Sequence, residues 1–147
     1  MGLDMYLKSE QYLWDEESDD LVEQIKNQNK HKLRPTSIRY DAIYWRKANH
    51  IHKWFVDNVQ NGNDDCKDYY LSLKTLLKLR EVCYKVLDER NEELSKKLLP
   101  TYQGCFYGSY EYDDYYYDAV RYTANSIDNL VVIRGFEKMD LIYYSSW

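Results

Sequence analysis

The sequence predicts an α+β fold, in which a small antiparallel or mixed sheet contains both ends of the chain and packs with about three helices. Two observations place strands at the ends. Leu3, Met5 and Leu7 alternate with polar residues, which is the two-residue period of a half-buried strand, and residues 138–145 alternate in the same way. A third observation places helices between them, because apolar residues recur there every three to four positions.

The composition is that of one globular domain spanning residues 1–147. A chain of this length can bury a hydrophobic core, and 44% of its residues are hydrophobic. Only five glycines and two prolines occur, which excludes the disordered class of protein. The formal net charge is -5, so we expect no direct binding to DNA through a basic surface.

The cysteines indicate a reducing compartment. Cys66, Cys83 and Cys105 are odd in number and lack the C-x-x-C spacing of redox or zinc sites. The first residues lack the charged and then apolar order of a signal peptide, and no apolar run reaches the roughly 20 residues of a membrane span. We therefore expect a cytoplasmic protein that contacts no membrane.

Residues 14–34 are predicted to form an exposed excursion from the domain. Acidic, basic and amide side chains dominate this segment, and its few apolar residues suffice for one short helix that starts near Ser18. After Pro35, the alternation of apolar and polar residues from Ile38 to Ala42 predicts a second strand.

Residues 44–59 are predicted to form the central helix. At about 100° per residue, its apolar side chains share one face, which comprises Tyr44, Ala48, Ile51, Phe55 and Val59. The turn-forming sequence Asn61-Gly62-Asn63 should end this helix. Residues 69–71 are then expected to be extended.

Two further helices are predicted in the second half of the chain. Ser72 is a good N-cap for a helix of about seven turns, which should end at Leu98 because Pro100 cannot continue it. Ser109 or Asp113 can cap the last helix. The core stripe of that helix comprises Tyr116, Val120, Thr123, Ile127, Leu130 and Val131.

The central helix carries candidate ligand-binding residues beside its apolar face. Trp45, Asn49 and His52 form the neighbouring stripe, and a buried amide or imidazole needs hydrogen-bond partners. Backbone groups of a neighbouring strand can supply them. Alternatively, these residues form a pocket wall, in which the Trp45 indole is a stacking platform and the Arg46 guanidinium clamps an anion. Further residues would help to enclose a nucleotide-like ligand, namely Asp64, Asp65 and Trp147.

A second candidate surface is the acidic, tyrosine-rich run at residues 110–118. Carboxylates and phenols are interleaved there, and such a surface can imitate nucleic acid and occupy a basic groove on an enzyme. The residues expected to contact a partner are Tyr110, Glu111, Tyr112, Asp113, Asp114 and Tyr117. The alternative interpretation is a solvated helix start, with acids at the positive end of the helix dipole.

No catalytic residue, metal or cofactor is predicted. His52, Asp65 and Cys66 fall short of the usual set of zinc ligands, and His50 would point roughly 200° away from His52 on a helix. A Cys66 and His52 nucleophile pair lacks a local group that would activate the thiol. The loop at residues 104–109 lacks the glycine-lysine signature of a phosphate-binding loop.

One further pattern spans most of the chain. It comprises the stretches MGLDMYL, YWRKANHIHKWF, NVQNGNDDC, LLPT, GCFYGSYEYDDYY and the terminal SSW. In this order, the stretches resemble a family of small uncharacterised proteins that are common in bacteriophage and prophage genomes. The sequence departs from the family pattern in residues 9–40 and at Cys105, where an aromatic residue is expected. The resemblance implies a phage or prophage origin and carries no established activity.

Together, the residues and the resemblance favour a phage or prophage accessory protein that acts by binding. The expected role is to inhibit a host defence system, as an anti-CRISPR-like or other anti-defence inhibitor in the cytoplasm of the bacterial host. Its partner would be a host defence effector protein, such as a nuclease, or a nucleotide-like small molecule. The alternatives are an enzyme of unknown reaction that uses the Trp45, Arg46, Asn49 and His52 pocket, with His52 as general base, or a structural or regulatory phage protein. A homo-oligomer is left open.

Overall fold

The computed structural model describes residues 2–147 and confirms the predicted α+β fold. The strands are β1 (Asp4–Tyr12), β2 (Ser37–Arg46), β3 (Tyr69–Leu71) and β4 (Asp140–Ser146). They form one antiparallel sheet in the order β2-β1-β4-β3, so the strands nearest the two ends of the chain are neighbours at its centre. Within residues 2–147 the α-helices number five rather than three: α1 (Asp19–Gln28), α2 (Asn49–Asn58), α3 (Leu73–Glu89), α4 (Glu92–Leu98) and α5 (Asp114–Val131).

The core lies on one face of this sheet, as the alternation in the sequence predicts. Leu3, Met5 and Leu7 are fully buried, whereas Asp4 and Tyr6 between them are half-buried on the opposite face. The helices α2, α3 and α5 supply the other side of the core. Their fully buried apolar residues are Ile51, Phe55, Leu76, Leu79, Cys83, Val86, Val120, Ala124 and Ile127.

The predicted helix at residues 44–59 is wrong at its start. The second strand continues through Arg46, and Lys47 then adopts a left-handed φ of 55° before α2 begins at Asn49. Tyr44 and Trp45 pair with Tyr6 and Met5 of β1. Aromatic residues favour strands when they find such cross-strand partners, and this pairing outweighs their fit to a helical stripe.

The predicted helix from Leu73 to Leu98 is two helices. The first, α3, ends where Arg90 takes the left-handed conformation at φ 43°. Asn91 then caps α4 by accepting a hydrogen bond from the backbone amide of Leu94 at 3.1 Å. Residues on both sides of this break line a concave surface beside the start of α5, where Asp113 is the N-cap.

The segment 14–34 holds one turn of 3-10 helix (Glu16–Ser18) followed by α1, which begins at Asp19, next to the predicted Ser18 start. Ser18 and Val22 are the buried residues of this segment, whereas Trp14 and Leu33 are 75% and 69% exposed. None of the helices in residues 2–147 combines the length and apolar composition needed to cross a bilayer.

Candidate binding site

His52 lies at the centre of a buried hydrogen-bond network. The helix α2 directs its ring toward β4, where His52 Nδ1 lies 2.7 Å from the Tyr143 hydroxyl. The turn after α2 brings Asp64 back to the same ring, with Oδ1 2.9 Å from His52 Nε2. His52 and Tyr143 are both fully buried.

The protonation states in this network follow from burial. Burial lowers the pKa of His52, and the Asp64 carboxylate opposes that shift only in part. Neutral His52 must donate its Nε2 proton to Asp64, because an ionised carboxylate only accepts. His52 Nδ1 therefore accepts a hydrogen bond from the Tyr143 hydroxyl, which stays protonated because burial raises its pKa well above the ordinary value of 10.0.

Asp64 also joins two aromatic side chains to the network. Its carboxylate accepts hydrogen bonds from the Tyr107 hydroxyl at 3.2 Å and from Trp147 Nε1 at 3.1 Å. Three of the residues predicted to enclose a ligand, His52, Asp64 and Trp147, are thus in contact. Asp65 faces away from this network and bonds the Tyr69 hydroxyl at 3.1 Å.

The His52 network joins several segments of the fold, and its histidine ring is closed to solvent. A general base needs to reach the proton that it removes, and the fully buried His52 ring uses both nitrogens for internal partners. Its hydrogen bonds connect α2, β4, the turn at Asp64 and the loop at Tyr107. Among residues 2–147, no three histidine, cysteine, aspartate or glutamate side chains are grouped so as to hold a metal ion.

Trp45 and Arg46 lie on β2 and do not share a wall with His52. Trp45 is buried in the core and donates from Nε1 to Thr123 Oγ1 on α5 at 2.8 Å. Arg46 points to the opposite face of the sheet, where its Nη1 lies 3.4 Å from Asp4. The shared helical face on which the nucleotide pocket was predicted is therefore absent, although ligand binding by these residues stays a prediction.

The Asn49 side chain is hydrogen-bonded to backbone groups outside the His52 network. Its side-chain nitrogen donates to the carbonyl groups of Tyr107 at 3.1 Å and Ser109 at 2.8 Å, and its oxygen accepts from the amide of Tyr102 at 2.9 Å. Backbone groups satisfy this buried amide, as one interpretation of the sequence expected. They belong to a loop rather than to a neighbouring strand.

The acidic, tyrosine-rich run divides into an inward and an outward set. Tyr117 is 5% exposed, and Asp113 is the N-cap of α5, accepting from the Tyr116 amide at 3.1 Å. The side chain of Asp114 is 89% exposed and Tyr110 is 40% exposed. Asp113 caps the helix and other acids face solvent, as the interpretation of the run as a solvated helix start expected, whereas contact of this run with a partner stays a prediction. The exposed residues of the run are Tyr110, Glu111, Asp113, Asp114, Tyr115 and Asp118.

A cleft of about 480 Å³ lies beside this run. Its lining residues are Arg90, Glu92, Tyr112, Asp113, Asp114 and Tyr117. Four of them were predicted from the sequence as partner-binding residues. Arg90 and Glu92 were missed because the sequence analysis predicted a single helix from Leu73 to Leu98 and so did not expect a break after α3. The signal that marks the break is Asn91, an N-cap residue followed by two acids at the positive end of a helix dipole.

The outer face of the sheet carries a row of tyrosines that sequence reasoning did not single out. Tyr44, Tyr6 and Tyr144 are register partners on three adjacent strands, with ring centroids 5.2 Å and 6.0 Å apart. Their positions in the sequence could have indicated this row. Tyr6 and Tyr144 each lie between two buried residues of their strand, so their side chains must point to the opposite face of the sheet.

No family model, curated protein or solved structure matches this chain.

Proposed function

We propose that this chain is a phage or prophage accessory protein that inhibits a host defence effector by docking an acidic, tyrosine-rich surface on it. That surface, here called the acidic end, comprises the cleft beside α4 and the exposed residues of the run at 110–118. The partner is a protein with a basic groove, such as a nuclease. The site of action is the cytoplasm of the bacterial host.

The observation that carries the proposal is the exposure of carboxylates beside phenols at the acidic end. Asp114 and Asp118 have 89% and 71% exposed side chains, and Tyr115 between them is 55% exposed. Tyrosine gives a large contact area at a small cost in conformational entropy, and carboxylates attract the lysines and arginines that line nucleic-acid grooves. Together, the carboxylates and phenols resemble the phosphates and bases of nucleic acid, and they can therefore occupy a basic groove on a partner protein.

The nucleotide-binding and enzymatic alternatives have less support. Both require a pocket that contains Trp45 and Arg46 together with His52. Trp45 packs in the core and donates a hydrogen bond to Thr123, and both nitrogens of the His52 ring are hydrogen-bonded to other residues of the chain. No specific observation favours a structural phage component either.

The test is protection of a phage from host defence. A sensitive phage is plated on hosts that carry DNA-targeting defence systems with nuclease effectors, with and without this protein. We expect the protein to raise the plating efficiency on at least one such host. The double variant Glu111→Lys and Asp114→Lys should lose this effect, because it reverses two exposed charges and leaves the Asp113 cap intact.

The matched control is Asp19→Lys with Asp20→Lys, which makes the same charge change on exposed residues of α1. This control should protect the phage as well as the unmodified protein does. Full protection by the Glu111 and Asp114 variant, or no protection by the unmodified protein on any host, would refute the proposal.

A further inference from the structure

The geometry of the cleft at the acidic end points to a binding site for an arginine side chain of the partner. We infer that Arg90 of this chain occupies that site in the free protein and leaves it when the partner's arginine enters. This inference rests on the proposed function and names the chemistry by which the partner is recognised.

The first observation is the position of Arg90 within the cleft. Its guanidinium carbon lies 4.9 Å from the centroid of the Tyr117 ring, and its Nη2 donates to Asp114 Oδ1. The guanidinium therefore stacks on a phenol face and pairs with a carboxylate at the same time. These are the two contacts by which proteins recognise arginine.

The second observation is a similar arrangement at Tyr112, the other phenol that lines the cleft. Lys96 Nζ lies 5.6 Å from the centroid of the Tyr112 ring and 2.6 Å from a Glu92 oxygen. Both phenols that line the cleft thus hold a basic side chain of this chain, each with an acid beside it. The rings and carboxylates form a surface that selects cations. Because Arg90 and Lys96 of this chain occupy it, a basic side chain of a partner is the ligand that fits.

The third observation is that Arg90 is held weakly. The side chains of Arg90 and Asp114 are 51% and 89% exposed, and such surface ion pairs contribute little because solvent competes with them. An arginine on a partner can replace the same side-chain contacts, while the left-handed φ of 43° at Arg90 stays unchanged because it belongs to the end of α3.

Arginine fits this cleft better than lysine does. A planar guanidinium can lie over Tyr117 while its edge offers two N–H donors to the Asp114 carboxylate, whereas an ammonium group is a point charge that cannot make such a paired contact. Removal of the Arg90 side chain would uncover the part of the Tyr117 ring that it contacts and free the Asp114 carboxylate. Asp113 remains committed to its role as N-cap.

The variant that tests this inference is Arg90→Gly. Glycine takes a left-handed φ readily, so the variant empties the cleft and removes the backbone strain. The probe is a short peptide with one arginine, and the matched probes carry citrulline or lysine at that position. Binding is measured by NMR titration, through the amide signal of Asp114 and the ring signals of Tyr117.

We expect the arginine peptide to bind Arg90→Gly about threefold more tightly than it binds the unmodified protein, because the weak internal pair of Arg90 no longer competes with it. The citrulline peptide, which keeps the shape and loses the charge, should bind neither protein. Asp114→Asn in the Arg90→Gly background should abolish the gain, whereas Asp118→Asn, which alters an exposed acid outside the cleft, should leave it unchanged. Arg90→Asn is the second variant, because asparagine also tolerates this backbone conformation.

Equal affinity of the arginine peptide for Arg90→Gly, Arg90→Asn and the unmodified protein would overturn the inference, as would a gain that survives Asp114→Asn. This outcome is distinguishable from failure of the proposed function. Peptide binding that follows the expected order without phage protection refutes only the inhibitor. Phage protection without a gain in Arg90→Gly refutes only the arginine site.

Discussion

At the scale of single residues, two neutral histidines on α2 are the most unusual feature. His50 is 3% exposed, its ring centroid lies 4.2 Å from that of Tyr116, and its Nε2 has no hydrogen-bond partner among residues 2–147. Burial lowers the pKa of His50 from 6.5 to about 3, and burial also lowers the pKa of His52. Both rings are therefore uncharged in the folded protein at neutral pH.

The His50 pKa predicts acid sensitivity with a defined sign. Between pH 6.5 and 3, the unfolded chain holds a proton on His50 that the folded protein lacks, so stability falls as pH falls through this window. The expected loss is about 1.4 kcal/mol per pH unit for this one group. His50→Phe keeps the ring and removes the titration. Urea unfolding at pH 8, 6, 5 and 4 should show a shallower fall for the variant, and parallel curves would contradict the prediction.

Asp64 and Asp65 are adjacent acids with different expected roles in stability. Asp64 accepts hydrogen bonds from His52, Tyr107 and Trp147, whereas the Asp65 side chain is 32% exposed and bonds near the surface. Asp64→Asn turns one acceptor oxygen into a donor that faces other donors. We expect it to lower the free energy of unfolding by about 2 kcal/mol.

The matched control is Asp65→Asn, which should change the free energy of unfolding by less than about 1 kcal/mol. Urea unfolding of both variants is followed by the combined fluorescence of the four tryptophans. Equal effects of the two substitutions would mean that the His52 network does not stabilise the fold.

At the scale of elements, the connection between β2 and α2 is held by the loop before α5. Asn49, the first residue of α2, bonds the backbone of this loop at Tyr102, Tyr107 and Ser109. Gly108 brings the loop against Lys47, where a Cβ on Gly108 would lie 2.9 Å from the Lys47 Cβ. The loop therefore sets where the strand stops and the helix starts.

Two glycines with similar backbone conformations test this close approach. Gly108 and Gly62 have φ values of +97° and +79°, but a Cβ at Gly62 would meet nothing within 4 Å. Gly62→Ala should lower the free energy of unfolding by about 1 kcal/mol, for backbone strain alone. Gly108→Ala should cost roughly 1 to 3 kcal/mol more, because Lys47 must move as well. Calorimetry compares them, and equal losses would show that the contact is unimportant.

The predictions for the elements failed at two places. Tyr44 and Trp45 fit a helical stripe and a strand equally well, and β1 selected the strand by pairing with them. The break at Arg90 was missed because the apolar period continues through it, although Asn91 makes the same local type of cap hydrogen bond as Ser72 and Asp113. The Ser72 cap was predicted, and Asp113 was one of two candidates for the cap of α5.

At the scale of the whole molecule, β1 is the centre of the fold. It pairs with β2 on one side and β4 on the other, and its inward side chains Met5 and Leu7 are fully buried. The helix α1 lies at the other extreme, because Val22 is its only buried residue. Stability is therefore expected to differ strongly between these elements.

Amide hydrogen exchange should reveal this difference. The amides of β1 should exchange only through global unfolding, and those of α1 should exchange earlier through local opening. Exchange followed by NMR in low concentrations of urea separates the two classes, since only global opening accelerates steeply with denaturant. Protection of α1 at the level of β1 would mean that the segment 14–34 is part of the cooperative core.

The amino-acid sequence was sufficient to predict the α+β class, the strands at both ends of the chain, the cap at Ser72 and an acidic, tyrosine-rich start of α5, with Asp113 as one of two candidate caps. These features depend on local periodicity and on hydrogen bonds between near neighbours. Tertiary contacts were needed to show that β2 continues through Trp45, that Asp64 meets His52, and that Arg90 lies over Tyr117. Each of these depends on residues far apart in the chain, whose pairing local patterns do not encode.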